Sequence, residues 1–144
     1  MTAKITTIVD AVVADLMTRL DDAKWLNPTV RKTWYIHDMT DDLPGVVTVT
    51  VSGEGRVVEK VSRVEIQDDL EVLINVKSKL QSDENAEIET LIDIVDKIIT
   101  DYSTIKLASF RAIEINQEEQ FDLDLISTDG LFSSVFSLTF RGFV

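Results

Sequence analysis

Cysteine is absent from the 144-residue chain, and histidine occurs once, at His37. The first absence removes disulfides, thiol nucleophiles, zinc–thiolate sites and iron–sulfur clusters together. The second leaves one imidazole for acid–base work, with no Gly-x-Ser-x-Gly elbow to supply a nucleophile. His37 sits beside Asp38 next to a polar loop and reads as a surface or capping histidine. Long apolar runs are missing too. No segment approaches the ~20 uninterrupted apolar residues of a membrane span. Asp10 and Asp15 interrupt the apolar opening stretch, so it does not read as a signal peptide. No repeat, low-complexity tract or linker divides the chain, which predicts a single α+β domain over residues 1–144.

Positive charge is scarce. Fourteen Lys and Arg stand against 26 Asp and Glu, a net charge of −12. This argues against a nucleic-acid or anionic-membrane binder, since both need positive surface. The balance is uneven. Residues 81–124 carry twelve acids against Lys97, Lys106 and Arg111, whereas residues 1–80 carry thirteen acids against ten bases. One face or end is expected to be strongly negative, and a solvated face that favours solubility accounts for it without a partner.

What is present is regular patterning. Ile5, Ile8, Val9, Val12, Val13, Leu16 and Leu20 recur on one helical face, with Thr2 a possible cap and Asn27-Pro28 a stop. Residues 29–37 look extended, with Trp34 and Ile36 on one face. Val47, Val49 and Val51 alternate with threonines as in a half-buried strand. Ser52-Gly53-Glu54-Gly55 reads as a hairpin turn. Residues 56–66 read as the return strand with a bulge near Val61-Ser62, and Asp68-Asp69 as a break. Residues 70–77 form a further strand. A second helix follows, with Ile88, Leu91, Ile92, Val95, Ile99 and Tyr102 buried and Ser82 or Asp83 as its cap. Strands at about 105–115, 120–126 and 131–141 close the chain, the last after an Asp129-Gly130 turn. The order α-β-β-β-(β)-α-β-β-β predicts a mainly antiparallel sheet with two amphipathic helices packed on one face.

The candidate chemistry is thin. Gly53-x-Gly55 lacks a third glycine and a following helix, so it does not cradle a phosphate. Asp122-x-Asp124 puts two carboxylates on one strand face, but Leu125 and Ile126 break an EF-hand pattern, and a solvated pair does not split its pKa values for catalysis. No catalytic, cofactor-binding or metal-binding residue is assigned, and the chain reads as no enzyme. Arg56, Lys60 and Arg63 give one strand a basic edge. Edge protection against aggregation explains them; so does complementarity to an acidic patch on a neighbouring subunit. Trp25 and Phe143 are candidate exposed anchors.

Four passages carry a family resemblance: ITTIVDAVVADLMTRL, VLINVKSKLQSDENAEIETLIDIVDKI, FRAIEINQEEQFDLDL and STDGLFSSVFSLTFRGF. Together they resemble the tail terminator, or tail completion, proteins of the neck region of long-tailed bacteriophages. The resemblance implies a non-enzymatic ring, typically a hexamer. Such a ring sits on the head-proximal end of the virion tail, stops polymerisation of the tail tube protein and offers a surface to the head–tail connector. DNA passes through without specific binding, and no cofactor or membrane is involved. An acidic adaptor or inhibitor of a basic protein, and a small ligand-binding α+β domain, are the alternatives.

Overall fold

A computed structural model of the protein describes residues 3–34, 46–62, 65–80, 84–117, 121, 126–127 and 130–143. Helix α1 spans Lys4–Arg19 and is followed by a 3-10 turn at Ala23–Trp25. Strands β1 (Thr29–Lys32), β2 (Val47–Lys60) and β3 (Ile66–Lys79) come next. Helix α2 (Glu84–Tyr102) leads to β4 (Lys106–Leu107), β5 (Phe110–Asn116) and β6 (Leu131–Phe143). The six strands form one sheet in the order β1-β2-β3-β6-β5-β4. Every neighbouring pair is antiparallel except β1 and β2, which run parallel.

The period-2 pattern decides which face the helices cover. Val51, Ile74 and Phe136 lie in one cross-strand row, and Val72 stands opposite Leu138 in another. All are buried, together with Val49, Val76 and Phe140. Onto this face α1 lays Ile8, Val9, Val12 and Leu16, and α2 lays Leu91, Ile94, Val95, Ile98 and Tyr102. Ile94 and Ile98 widen the stripe read from the sequence, while Ile88, Ile92 and Ile99 flank it. The opposite face presents Thr48, Asn75, Lys77, Ser137 and Thr139, and no described helix covers it. This is the two-layer α+β arrangement the patterning predicts.

A polar network joins the two helices. Asp15 on α1 accepts hydrogen bonds from the Tyr102 hydroxyl and from Arg19 Nε. Arg19 also reaches Asp101 at 3.4 Å, and Lys97 Nζ donates to Asp101 at 2.8 Å. Lys97 and Lys24 both lie over the Trp25 ring. Trp25 therefore packs against the core, half-buried, and is not the exposed anchor the sequence suggested. The α1 cap also differs: Ala3 occupies the N-cap and makes no side-chain bond, and Thr2 lies outside the described residues.

The hairpin is built differently from the sequence reading. Strand β2 runs through Ser52–Gly55, and neither glycine there has a positive φ. The ladder instead slips between Gly53 and Gly55, a β-bulge that inverts the side-chain phase, so Arg56, Val58 and Lys60 face the side that Val49 and Val51 face. Gly53 is required by crowding, because a Cβ there would lie 2.8 Å from Ile5 Cγ1 and from Trp34 Cζ3. The chain reverses between Lys60 and Ile66, and the Val61 and Ser62 amides donate to the Glu65 carbonyl at 3.1 and 3.2 Å. Turn and bulge have exchanged places.

Two other breaks are also displaced. Asp68 and Asp69 do not interrupt β3, because each meets an arginine: Arg56 on the helix side and Arg141 on the open side. The segment 105–115 is not one strand. Ala108 and Ser109, with φ of 50° and 70°, turn β4 back onto β5, the positive φ values a two-residue hairpin needs. Of the predicted strand at 120–126, residues 120 and 122–125 lie outside the described residues, and Ile126 is helical. Gly130 (φ 61°) leads into β6, and its carbonyl accepts from the Leu80 amide at 2.8 Å.

Candidate assembly surfaces

Strand β1 pairs with β2 only over Thr48–Val51. Among the described residues, the backbone of β2 from Gly53 to Lys60 therefore has a ladder partner on its β3 side alone. From Glu54 to Lys60 every residue of β2 is exposed, with Val57 at 66% and Val58 at 52% of full exposure. Val61 and Ile66 at the tip are exposed as well. An open strand edge and an apolar tip in one element form a template for another chain.

Arg56 and Lys60 lie in the same half of β2, four residues apart on the helix-side face. Their roles differ. Arg56 donates Nε and Nη2 to the two oxygens of Asp68 at 2.8 and 2.7 Å. The Asp68 side chain is fully buried, and Lys4 of α1 adds a 3.3 Å contact. The Arg56 guanidinium, helped by Lys4, holds the Asp68 carboxyl below the ordinary aspartate range against the opposing effect of burial. Arg56 thus neutralises a buried charge of its own chain. Lys60 is exposed. Arg63, His37, Asp122, Asp124, Ser82, Asp83 and the Phe143 side chain lie outside the described residues.

The acidic segment resolves into separate surfaces. Glu89, Asp93 and Asp96 project from α2 on the side away from its buried stripe, and all three are exposed. Two of the three bases of the same segment lie elsewhere, Lys97 being on α2 itself. Lys106 stands opposite Arg111, and Arg111 opposite Arg141, so three cations form one cross-strand row on the open face of β4, β5 and β6. With Ser109, Ile113 and Gly142 they line a groove of about 330 Å³. Gly142 on the helix side lets the Phe110 ring cross β6, since a Cβ there would lie 2.7 Å from that ring. The sequence reading missed the row because its members are scattered along the chain, and only the β4–β5 turn and the β5–β6 register bring them together.

No group of His, Cys, Asp or Glu suited to holding a metal ion occurs among the described residues. No described helix is long and apolar enough to cross a membrane.

No family profile matches this sequence, and no curated protein matches it. Among solved structures, the chain is similar to a chain of the virion of a native gene transfer agent (GTA) particle. The superposition covers 97% of this chain and 96% of that one, with a TM-score of 0.45 and 10% sequence identity.

Proposed function

We propose that the chain is a non-enzymatic virion protein of a tailed phage that forms a ring, caps the head-proximal end of the tail tube, stops its polymerisation and offers the head-joining surface. The sequence resemblance supplies this reading. The structural observation that carries it is the outer half of the β2–β3 hairpin: a strand edge unpaired among the described residues, with exposed Val57, Val58, Val61 and Ile66, beside a core packed by two helices. Such an arm serves attachment to other chains better than it serves catalysis. Lys60, with Arg63, would present charge beside that edge, while Arg56 is held by Asp68.

The test is electron microscopy of the purified protein, alone and mixed with tail tubes. Rings, or tubes capped at one end and held at fixed length, are expected. Tubes that continue to grow with the protein unbound would overturn the reading. The exposed Glu89–Asp93–Asp96 stripe favours a second reading, an acidic adaptor for a basic protein. That reading predicts a soluble monomer that competes with DNA for its partner and ignores tail tubes.

A further inference from the structure

The row Lys106–Arg111–Arg141 is costly for an isolated chain. Neighbouring strands lie about 4.8 Å apart, and like charges directly opposite one another across a ladder repel. Arg141 is relieved by Asp69, which accepts from its Nε and Nη2 at 2.8 and 3.0 Å. Arg111 and Lys106 have no ion-pair partner among the described residues, although the protein carries an excess of twelve negative charges. On the other layer, Glu89, Asp93 and Asp96 of α2 are also unpaired among the described residues. Among the described residues, one chain thus displays two unpaired cations of the basic row on one face and an unpaired acidic stripe on the other.

We propose that the basic row receives the α2 carboxylate stripe Glu89–Asp93–Asp96 of a second copy of this chain. The proposal rests on the self-association in the ring reading and gives it a contact. Spacing supports the match. Along a helix, residues four and three apart are separated by about 6 and 4.5 Å, close to the strand spacing that sets the basic row. Position supports it as well. A patch on the sheet side that meets a patch on the helix side is a heterologous contact, which propagates head to tail and closes into a ring where the rotation between copies divides a full turn. The same patches set against themselves repel, so a two-fold dimer through either is disfavoured. The charges choose partner and register, and the apolar hairpin arm supplies area.

The absence of cysteine makes a direct test possible. Two single variants, Lys106→Cys and Asp93→Cys, are mixed under mild oxidation on tail tubes and at high concentration in free solution. A mixed disulfide forming about tenfold faster than either homodisulfide is expected, since only the heterologous pairing is electrostatically complementary. Equal rates, or a dominant homodisulfide, overturn the contact. In parallel, the double reversal Lys106→Glu/Arg111→Glu is expected to abolish assembly, and Glu89→Lys/Asp93→Lys in the same chain to restore it. Arg141 is left intact because it holds Asp69. Normal rings on tubes formed by the unrescued Lys106→Glu/Arg111→Glu variant refute this contact and leave the ring reading standing. A wild-type chain that never self-associates refutes both. Loss of low-salt DNA retention in that variant, with self-association unchanged, overturns the proposal in favour of a phosphate-binding row.

Discussion

At the scale of single residues, two paired groups make stability depend on pH from opposite ends. The Asp68 carboxyl is held below its ordinary range by Arg56. Its contribution is complete above the unfolded value, about 3.9, and is lost as pH falls through the lower folded value. Arg56→Gln leaves a buried carboxylate with Lys4 alone, so burial dominates and the folded value rises. The acid unfolding midpoint, followed by circular dichroism, is expected to move to higher pH, while Lys60→Gln moves it little. An unchanged midpoint in Arg56→Gln would show that the pair contributes nothing. Tyr102 behaves in the opposite sense: burial, and then the hydrogen bond to Asp15, push its phenol far above the usual value. The folded form retains its proton when the unfolded chain ionises, so stability present below about pH 10 is lost as pH rises. Tyr102→Phe should reduce that alkaline loss. At neutral pH it should cost about 1–3 kcal/mol, the usual range for a hydrogen bond to a charged group or a partner left unsatisfied. Thermal melts at pH 7 and 10.5 check both expectations.

At the scale of elements, the two helices and the principal strands were legible because burial enforces a period. Leu16 and Val95 are both fully buried, as their stripes predict, and Leu16→Ala is expected to cost roughly 2–4 kcal/mol in denaturant melts. What was illegible depended on partners remote in sequence. Asp68 and Asp69 read as a break only until Arg56 and Arg141 stand beside them, 12 and 72 residues away. Gly53 and Gly55 read as a turn because glycine's use in close packing leaves no different mark from its use at positive φ. The β4–β5 turn was hidden for the reverse reason, because Ala108 and Ser109 are not the residues that ordinarily favour its conformation. The candidate arm follows from the true position of the turn, which extends β2 to Lys60 and exposes its edge. Val57→Thr/Val61→Thr keeps shape and strand propensity at two exposed sites. Folding stability should stay within about 0.5 kcal/mol of wild type, while tube capping is lost. Capping at the wild-type level would remove the arm from assembly.

At the scale of the whole molecule, net charge and local charge oppose one another. Subunits that each carry −12 repel over their full dimensions, whereas an α2 stripe set in the basic row attracts over a few ångströms. Salt separates the two by range. At about 10 mM the screening length is roughly 30 Å, so repulsion between whole subunits persists; at about 0.1 M it is near 10 Å, and repulsion is suppressed while contacting pairs are retained. Near 1 M it falls to about 3 Å, and the contacting pairs are screened as well. Self-association followed by sedimentation equilibrium is therefore expected to rise from low to intermediate salt and to fall again at high salt. The Lys106→Glu/Arg111→Glu variant, having lost the attractive part, should stay unassociated at all three salt concentrations. Association of the wild-type chain that increases steadily up to 1 M salt would mean that apolar burial alone holds the subunits together, and the charged row would then have no part in choosing the neighbour.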